Sequence, residues 1–138
     1  MPNITDATDY GLWYFAHPYT CQDKDGNYVP EAEDANFMLA CMRSGDLLLR
    51  GYNIYSPICH THPIHRACPT LLKAKEHMLW YLLDNEFIDS ADWKGIILAP
   101  DWEDSKGCVA EYKRIAGKGG EVKEYSKIMY EPITYHAV

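Results

Sequence analysis

Short apolar runs alternating with helical stretches constrain the fold of this chain more than any other feature. The runs are LWYFA (Leu12 to Ala16), YNIYSP (Tyr52 to Pro57), KGIILAP (Lys94 to Pro100) and EVKEY (Glu121 to Tyr125). Each is short and rich in aromatic or β-branched residues, and the third reads as a strand buried on both faces. Between them lie helical patterns. One runs from Glu31 to about Arg50, with Phe37, Leu39, Ala40, Met42, Leu47 and Leu48 on its apolar side and Gly51 as its stop. A second is expected from about Thr70 to Asp89, with Pro69 just before it, and a third from Ser105 to Ala116, ended by GKGG. Strand and helix in alternation predict an α/β domain with a mostly parallel sheet of four or five strands and helices on both faces.

A chain of 138 residues suits one domain spanning 1–138. Residues 1–10 and about 127–138 are expected to be loose or to add an edge element. The segments HPYTCQDKDGNYVP and ICHTHPIHRACP, rich in turn formers, read as loops. The net charge of −7, without a cluster of Lys and Arg, excludes a nucleic-acid polymer as the expected partner. A single nucleotide is compatible with it, because backbone N–H groups can hold one phosphate. The five cysteines are odd in number and form no CxxC pair, which fits reduced thiols in a cytosol. No opening signal segment is apparent, and no apolar run reaches the roughly 18 residues of a membrane span. The chain is therefore expected to be cytoplasmic, with no membrane partner.

In a parallel sheet of this kind ligands sit beyond the carboxyl ends of the strands. Residues that can carry chemistry cluster after the first three runs. On the helix from Ser105, Cys108, Tyr112, Ile115 and Ala116 form one apolar face and Glu111 lies on its border. An acid there can lean into a cleft, where partial desolvation raises its pKa. Ser105 opens the helix, with Asp104 as an alternative cap. The first-turn N–H groups lack helical partners, so this end can hold an anion, and Gly107 lets a ligand approach the backbone. Six residues of helix put Glu111 about 9 Å along the axis from that end. A nucleotide has about this reach from its 5′-phosphate to its anomeric carbon. The alternative is a capped helix with a solvated glutamate.

Asp84, in HMLWYLLDNEFIDSAD, has Trp80, Tyr81, Phe87 and Ile88 as its helical neighbours. A carboxyl on such a stripe is desolvated and suits a general acid near neutral pH. The alternative is a helix-end residue reaching solvent. Two carboxyls in distinct settings fit cleavage of a glycosidic bond.

Three segments together, YFAHPYT, LDNEFIDSAD and DSKGCVAEYKRIAGKGGEV, resemble the nucleoside 2-deoxyribosyltransferase superfamily. SPICHTHPI and DWEDSKG resemble its small bacterial and phage branch. The resemblance spans most of Tyr14 to Val122. It implies a flavodoxin-like, Rossmann-like three-layer sandwich, a homodimer or larger homo-oligomer, and no metal or organic cofactor. It implies Glu111 as nucleophile, Asp84 as the acid that protonates the departing base, and Tyr14 as the residue orienting the nucleophile. Ser105 and Gly107 match an SxG that binds 5′-phosphate. His17 and Pro18 stand where many members carry a glycine and a serine, and are expected at the substrate site.

Trp102, beside the proposed site, could stack on a base. Asp104 is either a ligand contact or a turn former. His60, His62 and His65 offer metal ligands without a standard zinc spacing. In the resemblance their loop faces the pocket, which makes His62 a candidate substrate contact. The expected function is cleavage or transfer at the N-glycosidic bond of a deoxynucleoside or its 5′-monophosphate. The alternatives are a non-catalytic nucleotide-binding or sensor domain and a metal-dependent hydrolase built on the histidine segment.

Overall fold

A computed structural model describes residues 11–68 and 76–132. Four strands, β1 (Leu12–Ala16), β2 (Asn53–Tyr55), β3 (Trp93–Leu98) and β4 (Glu121–Glu124), form one sheet in the order β2-β1-β3-β4. All three pairings are parallel. The helices are α1 (Pro30–Leu49), α2 (Pro57–Ala67), α3 (Glu76–Ser90), α4 (Lys106–Gly117) and α5 (Tyr125–Tyr130), with a 3-10 turn at Trp102–Asp104. The result is the expected flavodoxin-like three-layer sandwich.

The pleat of β1 sorts its side chains into two cores. Trp13 and Phe15 pack with Leu47 of α1, Ile97, Ala99 and Ile128 of α5. Tyr14 and Ala16 pack with Ile88 of α3, Ile96, Leu98, and Cys108 and Ile115 of α4. Both faces of β1 and β3 are thus covered, which is why their sequences are almost continuously apolar. Gly95 permits close packing at the middle of the sheet: a Cβ there would sit 2.2 Å from the Glu121 carbonyl and 2.6 Å from the Trp13 ring.

Three features differ from expectation. The histidine segment is a helix, not a loop. Ser56 caps α2 by accepting from the Cys59 N–H at 3.4 Å, and Pro57 at its first position needs no helical donor. Pro63 removes one internal bond without ending the helix. Secondly, the chain enters α5 directly after β4, so residues 127–130 are helical. Thirdly, the buried stripe of α1 is Glu33, Ala40, Ser44 and Leu47, whereas Met42 and Leu48 are more than half exposed. The expected helix start at Thr70, residues 1–10, expected to be loose, and the last six residues lie outside the described residues. No helix among the described residues is long and apolar enough to cross a membrane.

Candidate functional site

Strand order places β1 between β2 and β3, so the chain leaves β1 toward one side and returns on the other. That reversal opens a crevice at the carboxyl ends of the strands. A cleft of roughly 840 Å³ lies there. His17 and Tyr19 enter it from the end of β1, Pro57 and Ile58 from the end of β2, and Ser105 to Cys108 from the segment after β3. Asp84 and Asn85 of α3 and Glu111 of α4 complete its middle.

The Tyr14 hydroxyl donates a short hydrogen bond to Glu111 Oε2. Tyr14 is fixed for this by β1 and by aromatic contacts with Tyr55 and Trp93, at ring separations of 6.0 and 5.2 Å. Burial pushes the Glu111 carboxyl up to about 8; the Tyr14 bond pulls against that, and the charge of Asp84 adds to it. Burial likewise pushes Asp84 up to about 6, and its buried Oδ1 has no hydrogen-bond partner among the described residues. With Asp84 at about 6 and Glu111 at about 8, the two carboxyls together carry one proton around neutral pH. The phenols of Tyr14 and Tyr55 are both raised by burial, with Glu111 and Asp84 adding to the effect. Cys108, one turn before Glu111, is pushed up to about 12 by burial and keeps its thiol proton.

Ser105 is the N-cap of α4: its Oγ accepts from the Cys108 N–H at 3.3 Å. The first turn is open on the cleft side, where Lys106, Gly107 and Asp104 also line the wall. A Cβ added to Gly107 would meet nothing closer than Ser105 Oγ at 3.9 Å, leaving the backbone reachable. Asp101, just before the 3-10 turn, holds a left-handed φ of 66°, a conformation that Asp tolerates.

His17 is 5% exposed and both its ring nitrogens are taken. Arg43 Nη1 can only donate, so His17 Nε2 accepts it at 2.9 Å and Nδ1 donates to the Pro18 carbonyl at 2.8 Å. Burial lowers its pKa, keeping it neutral. His17 therefore shows the cleft its ring, and Pro18 serves it through a carbonyl. His62 stacks on Phe37 and lies behind Tyr19. Its Nε2 meets Asp34 Oδ1 at 3.0 Å and its Nδ1 meets the Tyr19 hydroxyl at 2.6 Å. Burial lowers the pKa of His62. The neutral ring therefore donates to Asp34 and accepts the Tyr19 proton, while His65 Nδ1 donates to the same hydroxyl at 2.7 Å. These bonds tie the β1–α1 loop to α2. Trp102 packs on Tyr112 at 5.1 Å.

The structure thus brings Tyr14, Asp84 and Glu111 together, with Ser105, Gly107, Asp104 and His17 around them. Among the described residues lining the cleft, His62, Trp102, Pro18 and Tyr14 are absent; Tyr14 is fully buried and meets the site through its bond to Glu111. Sequence reasoning missed Tyr19, Thr20, Gln22 and Tyr28 of the β1–α1 loop, and Glu33. Glu33 is buried in the same helical stripe as Ala40, Ser44 and Leu47, with Arg66 Nη2 3.9 Å from its Oε1.

Residues 11–127 match the model of a family described as a domain of unknown function, DUF1937. No curated protein matches the chain.

Proposed function

The chain belongs to the DUF1937 family, and we propose that it cleaves or transfers at the N-glycosidic bond of a 2′-deoxynucleoside or its 5′-monophosphate. The observation that carries this reading is the pairing of Tyr14 with Glu111 beside Asp84, inside a cleft at the strand reversal. The resemblance of three segments to the nucleoside 2-deoxyribosyltransferase superfamily supports it.

The proposed chemistry runs in two steps. A Glu111 oxygen attacks the anomeric carbon while the bond from that carbon to the base nitrogen breaks. Asp84 gives its proton to the departing base. Water, or a second base, then attacks the glycosyl-enzyme while Asp84 takes its proton, which frees the Glu111 carboxylate and restores the acid. Hydrolysis and transfer differ only in that last nucleophile.

Of the two carboxyls Glu111 has the higher pKa, so the single proton rests there at pH 7. Reaction requires it on Asp84. Positive charge developing at the sugar beside Glu111 favours that move, and the Tyr14 hydroxyl holds the ionised oxygen in place. The open first turn of α4 offers N–H groups to a 5′-phosphate, with Lys106 adjacent. The test is release of free base from a panel of deoxynucleosides and their monophosphates, with Glu111→Gln as the control. Base released by the wild type and not by the variant supports the reading; no release from any member of the panel overturns it.

A further inference from the structure

Cys41 of α1 and Cys59 of α2 place their sulfurs 3.3 Å apart, inside van der Waals contact. Eighteen residues separate them in sequence, so the contact is made by the packing of α1 on α2. Ser44 completes the cluster: its Oγ donates to the Ala40 carbonyl at 2.6 Å and lies 4.0 Å from Cys59 Sγ. Both cysteines are partly exposed, whereas Cys108 is buried. Neither takes part in the proposed glycosidic chemistry.

We propose that Cys41 and Cys59 form a thiol–disulfide exchange site that reacts with small disulfides and closes to a Cys41–Cys59 bridge. Cys59 is the attacking sulfur. Cys41 Sγ, 3.3 Å away, can donate its S–H to the Cys59 sulfur as that sulfur attacks. Cys41 is the resolving thiol. Burial, then the hydrogen bond and charge of Cys59, push it up to about 11, so it holds its proton until a disulfide is in reach.

The steps balance as follows. Cys59 thiolate attacks one sulfur of a disulfide RSSR, the S–S bond breaks, and RS⁻ leaves to take up the proton Cys59 lost. Cys41 then loses its proton and attacks Cys59 Sγ; the mixed disulfide breaks and the second RSH departs. Two protein thiols are oxidised and one small disulfide is reduced to two thiols. Because Ile58 and Thr61 of α2 line the cleft, the bridge pins that wall to α1.

The test is intact and peptide mass spectrometry of the full chain after exposure to oxidised glutathione, with differential alkylation. The expected product is a chain lacking two hydrogens, with the peptides carrying residues 41 and 59 linked and Cys21 and Cys68 still alkylated. Cys41→Ser should stop the reaction at a stable glutathione adduct on Cys59. Cys59→Ser should slow the first adduct at Cys41 by about tenfold or more relative to Cys59 in Cys41→Ser. Circular dichroism melts confirm that each variant is folded. Glutathione appearing first on Cys41, or collecting on Cys21 and Cys68 while residues 41 and 59 stay free, overturns the proposal. If either serine variant does not fold, the wild-type linkage pattern alone decides.

Discussion

The Tyr14 hydroxyl donates to Glu111 Oε2 and so joins β1 to α4 at the centre of the cleft. A phenol buried in the core would ordinarily spend its proton on a backbone carbonyl. Here it is spent on a carboxyl whose own burial opposes ionisation. Such an arrangement is costly for folding and useful for chemistry, and its consequences can be measured.

The first concerns stability. Glu111 is raised from the ordinary glutamate value to about 8, so the folded state resists ionising a group that the unfolded chain ionises readily. The cost is absent below the unfolded value, grows as pH rises, and is complete above the folded one. Glu111→Gln should therefore stabilise the protein by about 1–3 kcal/mol at pH 7, an advantage that vanishes below about pH 4. Thermal melts of both proteins across that range check this; equal melting at pH 8 would contradict it.

The second concerns the pH dependence of turnover. The pair must carry one proton for one carboxyl to attack and the other to protonate. With Asp84 at about 6 and Glu111 at about 8, kcat/KM should trace a bell with limbs near those values. Below the lower limb both carboxyls are protonated and no nucleophile exists; above the upper limb both are ionised and no acid exists. A profile that is flat from pH 5 to 9 would contradict the assignment.

Tyr14→Phe keeps the ring that packs against Tyr55 and Trp93 and removes only the donated proton. Because that bond lowers the Glu111 pKa, its loss should move the basic limb of the profile upward. The rate should fall by about 10- to 100-fold, as for loss of one donor to a reacting oxygen. An unchanged basic limb would show that the contact is structural alone.

Asp84→Asn should slow reaction most for bases that leave poorly without a proton and least for those that leave readily. A panel of deoxynucleoside monophosphates with different bases separates the two; uniform slowing would remove Asp84 as the acid.

Ser105→Ala loses the cap that accepts from the Cys108 N–H, costing about 1 kcal/mol of stability. If the first turn of α4 holds phosphate, KM should rise for monophosphates and not for nucleosides.

Much of this was legible in the sequence, for identifiable reasons. β1 and β3 were plain because helices cover both their faces and leave almost no polar position. Asp84 and Glu111 stand out by pairing a carboxyl with apolar neighbours, whereas Tyr14 within its apolar run is marked only by the resemblance. α2 was hidden because Pro63 and three histidines look like loop composition, while the capping Ser56 lies outside the segment. On α1 only part of the expected apolar side faces the core: Ala40 and Leu47 are buried, but Met42 and Leu48 are exposed and Glu33 and Ser44 take buried positions. Tyr19 was invisible because its role depends on two histidines more than forty residues away, brought to it only by packing.

The central claim is that a Glu111 oxygen becomes bonded to the sugar. Intact-protein mass spectrometry during turnover of a deoxynucleoside monophosphate mixture tests it most directly. The account predicts a transient gain of one deoxyribosyl phosphate, mapped to the peptide containing Glu111, together with free base; Glu111→Gln should show neither. Free base released by Glu111→Gln at the wild-type rate would contradict it.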